Sequence, residues 1–120
     1  MIKVLIIDRE TKLLDSLGAF LKAKGHEVFG AKDIIEATSV LEKEEPHLVF
    51  FDLLFLGQPS GLPLIERMRR TDNKRKIYLM CRFPAMYEIL AKRIGADGVL
   101  FNPFQTVEIG KLIDEISEKV

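Results

Sequence analysis

The sequence predicts an open, doubly wound α/β sheet of five parallel strands with helices on both faces. Three observations predict it. Short apolar runs alternate with amphipathic stretches along the whole chain. Most of the runs lack polar alternation, as expected of strands buried on both faces. Five such strand–helix units fill the 120 residues, and strictly alternating units of this length imply parallel strands joined by right-handed crossovers.

Lys3-Val4-Leu5-Ile6-Ile7 is the first strand. Leu13, Leu14, Leu17, Phe20 and Leu21 follow at helical spacing, and Gly25 is placed to end that helix. Glu27-Val28-Phe29-Gly30 is shorter and less apolar, which suits a strand at a sheet edge. Asp33 and Glu36 have the spacing of a capping box, ahead of the stripe Ile34, Ile35, Ala37, Val40 and Leu41. Pro46 closes that unit. Leu48-Val49-Phe50-Phe51 is a third strand, ending at Asp52. Leu62, Leu64, Ile65 and Met68 mark a third helix, with Pro63 tolerated in its first turn.

Thr71 to Arg75 reads as a polar loop and Ile77-Tyr78-Leu79-Met80 as the fourth strand. Met86, Ile89, Leu90 and Ile94 predict a fourth helix behind Pro84. Gly95 to Gly98 is a turn, Val99-Leu100-Phe101 the fifth strand, and Ile109, Leu112, Ile113 and Ile116 the last helix. Rossmann-like and flavodoxin-like sheets both fit this alternation. Five units in so short a chain favour the flavodoxin-like order 2-1-3-4-5, in one domain over residues 1–120.

Composition narrows the function. The formal net charge is zero, so a general nucleic-acid-binding surface is not expected. One cysteine, Cys81, excludes an internal disulfide and points to a reducing, cytoplasmic home. The apolar stretch Val4–Ile7 stops at Asp8, far short of a membrane span or a signal segment. His26, His47 and a single Cys do not make a structural zinc site. Neither G-x-G-x-x-G nor G-x-x-x-x-G-K-[ST] is present, so nucleotide cradles are unsupported.

In such sheets reactive groups gather beyond the carboxyl ends of the strands. The strand ends here read Asp8-Arg9-Glu10, Asp52, Cys81-Arg82 and Asn102-Pro103. The first and third strands are neighbours in the expected order, so Asp8 and Asp52 should face one cleft. Two carboxylates there could hold a hard cation such as Mg2+, or supply a nucleophile that forms an acyl phosphate. The competing explanation for each Asp alone is a helix cap or a turn.

At this point the sequence resembles the receiver domains of response regulators. Lys3 to Glu10 resembles their opening strand, which usually ends in two Asp and then Glu. His47 to Leu53 resembles the strand that ends in the phosphoacceptor, here Asp52. Gly61-Leu62 is similar to the opening of their third helix. Gly95-Ala96-Asp97-Gly98 and Asn102-Pro103-Phe104 resemble a stretch that usually carries Gly-Ala-Asp, an aromatic and then Lys-Pro-Phe. The resemblance spans the whole chain and implies a role in two-component signalling.

Its departures fall on the pocket. Asp8 fits the first acid and Asp52 the phosphoacceptor, but Arg9 stands at the second acid, usually a direct metal ligand. Cys81 stands at the Ser/Thr position, Asn102 at the Lys before the cis-proline, and Val99 at the aromatic switch position. The loop from Asp52 to Gly61 is one residue longer than usual, with Leu56 where a proline is common. Arg9 is expected to repel Mg2+ and to pair with Asp52, and with Asp8, as a planar fork; the competing explanation is a long side chain pointing into solvent. Cys81 is a weak donor, expected to pack as a small buried hydrophobe, and Asn102 carries no charge.

The expectation is therefore an atypical receiver, not an enzyme. It would act through a protein partner, a histidine kinase or an output protein, with phosphorylation weak or lost. No cofactor is expected unless phosphorylation is retained, when Asp8 and Asp52, with Glu10, would hold Mg2+. Two alternatives stay open: a conventional receiver phosphorylated on Asp52, and a flavodoxin-like module binding a small ligand or anion near Arg9. Lys92, Arg93 and Lys111 are either part of a partner face or a solvated charged surface.

Overall fold

The computed structural model describes all residues from Met1 to Val120. Its elements are β1 (Lys3–Ile7), α1 (Thr11–Ala23), β2 (Glu27–Ala31), α2 (Ile34–Glu44), β3 (Leu48–Asp52), α3 (Gly61–Thr71), β4 (Lys76–Cys81), α4 (Glu88–Ile94), β5 (Gly98–Phe101) and α5 (Thr106–Glu118). Short 3-10 turns at Leu53–Gly57 and Pro84–Tyr87 precede α3 and α4. The five strands are parallel, in the order β2-β1-β3-β4-β5. This is the flavodoxin-like order that the five-unit count predicts.

Strand alternation sorts the core into two layers. Leu5, Ile7, Val49, Phe51, Ile77 and Leu79 pack with residues of α2, α3 and α4 on one face. Val4, Ile6, Leu48, Phe50 and Met80 pack with α1 and α5 on the other. The helix boundaries follow local rules. Gly25, with φ +89°, lets the chain turn away after α1. Asp33 accepts the amide of Glu36, while Glu36 reaches back to the amide of Lys32, a capping box displaced by one residue.

Three readings of the core are corrected. Met86 and Ile89 are 73% and 71% exposed, and Leu90 38%. The face of α4 that packs inward carries Ala91, which is buried, and the half-buried Ile94. On that short helix Leu90 lies about 100° and Ile89 about 160° around from Ala91, and Met86 belongs to the 3-10 turn before it. Ile35 and Leu62 likewise sit on outward faces of α2 and α3. Finally, the segment before β4 is not wholly a polar loop: α3 runs through Thr71, and Arg75 is buried.

Candidate functional site

β1 and β3 are paired with Ile7 opposite Phe51, so Asp8 and Asp52 stand one step further along adjacent strands. Asp8 continues the alternation of Val4 and Ile6, and Asp52 that of Leu48 and Phe50. Both carboxylates thus leave the sheet on its α1/α5 side. Each folds its own following turn: Asp8 Oδ1 accepts the Glu10 amide at 2.7 Å, and Asp52 Oδ1 the Leu54 amide at 3.0 Å. The turn-forming explanation therefore holds for one oxygen of each acid. The second oxygen has no partner in the chain.

The two acids share one electrostatic environment. Asp8 is buried, and its carboxyl is pushed up to about 6 by that burial, with Asp52 and Glu10 adding repulsion against the Glu10 amide and Arg9. The carboxyl of half-buried Asp52 is also raised, first by burial and then by Glu10, against the Leu54 amide and Arg9. Arg9 thus acts on both acids.

It does so without forming the expected fork, and that expectation is corrected. None of the five ion pairs in the chain involves Arg9. Its guanidinium lies over the ring of Phe55, 5.9 Å from the centroid. Arg9 stands exposed in the bend beyond β1, and its side chain reaches Phe55, a member of the core layer formed with α2, α3 and α4.

The remaining pocket positions also close on this edge. Cys81 ends β4; it is half-buried, and burial pushes its thiol pKa up, against the Phe83 amide, as Asp52 nearby does more weakly. The expected small buried hydrophobe is thus only partly buried, and nothing there lowers the thiol towards a reactive thiolate. Asn102 follows β5, donates its amide to the Cys81 carbonyl at 2.8 Å, and precedes Pro103 across a cis peptide. Val99 packs against the α2–α4 core layer. Gly61 is obligatory, because a Cβ there would stand 2.0 Å from the Phe55 carbonyl oxygen.

Asp8 and Asp52 each offer a free oxygen, and a hydrated Mg2+ is commonly held by one or two carboxylates. No third His, Cys, Asp or Glu joins them to form a metal-holding group. Glu10 is exposed and acts on the pair only at a distance. The donor set thus fits a weak magnesium site at most.

The order of these residues along the chain decides the family. The response regulator receiver domain matches residues 4–114. This chain belongs to that family. The receiver fold is shared with a CheY-like receiver domain protein from Methanospirillum hungatei (24% identity, TM-score 0.80, 98% of this chain and 95% of that one). A response regulator from Thermotoga maritima is similar at 23% identity (TM-score 0.83, 97% of each chain). The signal receiver domain of a DNA-binding response regulator from Colwellia psychrerythraea is similar at 20% identity (TM-score 0.84, 98% and 99%). The receiver's place is two-component signalling, and no helix is long and apolar enough to cross a membrane.

Sequence reasoning missed two residues of this receiver. Arg69 donates to the carbonyls of Gly95 and Arg75 and pairs with Asp97, whose carboxylate also accepts the Ile77 amide at 2.8 Å. The Gly-Ala-Asp stretch is thereby tied into the start of β4. Arg75 is the other, and no local pattern could have found it, because its acceptors include Pro46, 29 residues away.

Proposed function

We propose that this receiver transmits signals by protein contact and is phosphorylated on Asp52 slowly or not at all. The observation that carries the reading is Arg9. It places a permanent cation beside Asp8 and Asp52, at the sequence position where the family usually supplies a metal ligand. Phosphoryl transfer to a carboxylate brings negative charge onto negative charge, and the metal is what neutralises it. Asn102 lacks the charge of the usual Lys, and the Cys81 thiol is a poor donor to a phosphoryl oxygen. The chain catalyses no turnover in this reading.

An apolar surface supports the contact role. Phe83, Met86, Ile89 and Leu90 are exposed on the segment leading into and through α4, bordered by exposed Arg82, Lys92 and Arg93. Four large apolar side chains exposed on one short segment, among charged neighbours, are what an interaction surface would use. The partner would be a histidine kinase or an output protein. The rival reading, a conventional phosphoacceptor, draws on the retention of both Asp8 and Asp52 on adjacent strand ends.

The test is incubation with a small phosphodonor and Mg2+, followed by intact-mass measurement. The expected result is little or no phosphate gain over the time a conventional receiver needs. Stoichiometric, Mg2+-dependent gain that disappears in Asp52→Asn would establish the conventional reading instead.

A further inference from the structure

At the amino-terminal edge of the sheet, opposite the acid pair, Arg75 is only 3% exposed. Its Nε donates to the Pro46 carbonyl at 2.7 Å, and Nη1 to the Met68 carbonyl at 2.7 Å and Thr71 Oγ1 at 3.0 Å. All three acceptors are neutral. Arg75 takes part in no ion pair, and Asp72 and Glu45 act on it only at a distance. Nη2 has no acceptor in the chain. Because no fully buried side-chain polar atom lacks a partner, Nη2 is the part of the group that reaches the surface. A guanidinium this buried normally contacts an anion.

A cleft of about 410 Å³ opens beside it, bordered by Arg75, His47, Lys74, Lys76, Lys119 and Asp72, with Ile116 and Val120 as its apolar part. Four permanent cations face one carboxylate there, in a chain whose net charge is zero. Lys76 lies 3.8 Å from Asp97, whereas Lys74 and Lys119 enter no ion pair. His47 Nδ1 accepts the Lys3 amide at 2.9 Å, which puts the proton of the neutral ring on Nε2 as a further donor. Apart from Asp72, the charged and polar side chains on the border are thus donors, set beside the apolar Ile116 and Val120.

We propose that this cleft binds an oxyanion of the phosphoryl type, held by Arg75 Nη2, Lys74, Lys119 and His47 Nε2. The local excess of cations suits a dianion better than a single carboxylate, and a planar guanidinium edge matches phosphoryl oxygens. The site is separate from Asp52 and does not depend on whether Asp52 is phosphorylated.

The test is an amide-resolved NMR titration of the whole chain with inorganic phosphate and, in a second arm, a simple alkyl phosphate monoester, both against chloride at matched ionic strength. The two arms separate free phosphate from a phosphorylated solute. At least one should give saturable shifts at His47, at 72–76 and at Lys119. Lys74→Ala with Lys119→Ala, both exposed positions, should weaken that binding by about tenfold or more. Non-saturable shifts, shifts confined to Asp8 and Asp52, or equal binding by the double variant would each overturn the proposal.

Discussion

At the carboxyl edge of the sheet Asp8 is 2% exposed and accepts one hydrogen bond, and at the amino edge Arg75 is 3% exposed and donates three. Neither is in an ion pair. The guanidinium is solvated by carbonyls from two separate segments and ties them together. The carboxylate is under-solvated beside a second carboxylate, and its proton affinity rises as a result. Comparable burial disfavours both charges, pushing the Asp8 carboxyl up and the Arg75 guanidinium down, but Arg75 has three hydrogen bonds to offset it and Asp8 one. Arg75 ties two segments of the fold together, whereas ionised Asp8 is left short of partners.

The comparison breaks most sharply at Arg75. Arg75→Ala removes the donor of the Pro46 carbonyl and one each from the Met68 carbonyl and the Thr71 hydroxyl, which keep other partners, and it empties a buried site; it should cost about 3 kcal/mol. Urea unfolding measures it, and a cost below about 1 kcal/mol would mean that the tether is dispensable. Gly61→Ala tests the loop that carries Asp52. The added methyl meets backbone rather than a flexible side chain, so the variant should lose about 2 kcal/mol or more.

Asp8→Asn should act in the other direction. The folded carboxyl holds its proton up to about pH 6, whereas the unfolded one releases it near its ordinary value of 3.8. Folding takes up a proton between those values, so parent stability falls as pH rises through that window. The amide should therefore stabilise the chain by about 2 kcal/mol at pH 7, with the gain fading below about pH 4. Unfolding midpoints across that range are the check, and a loss at pH 7 would contradict it. The smallest effect is at Arg9. Arg9→Ala removes a cation that both acids feel but do not touch, so both carboxyl titrations should move up slightly, as carbon-detected NMR would show.

Much of this was legible in the sequence for a physical reason. Parallel strands buried on both faces advertise themselves as unbroken apolar runs, and their order brings Asp8 and Asp52 together without any side-chain detail. Direction was less legible. The residue types predict that Arg9 pairs with Asp52, but Arg9 stands in the bend beyond β1, where strand periodicity no longer sets direction, and its guanidinium lies over Phe55. In α4 the small Ala91 marks the inward face, while the bulkier Met86, Ile89 and Leu90 drew the periodicity outward. Arg75 was hidden because its role is made by Pro46 and Met68, which lie apart in the sequence and meet only in the fold.

We propose that substitutions at Arg9 and Asn102, rather than the frame around them, keep the acid pair from working as a phosphorylation site. Mg2+ titration of the parent beside Arg9→Asp/Asn102→Lys, with Mn2+ as a surrogate, tests it most directly. The double variant rebuilds the acid pair and returns a cation for the phosphoryl group. The account predicts weak binding by the parent and an affinity at least about tenfold higher in the double variant. Equal affinities would contradict it, and would place the fault in the longer loop between Asp52 and Gly61.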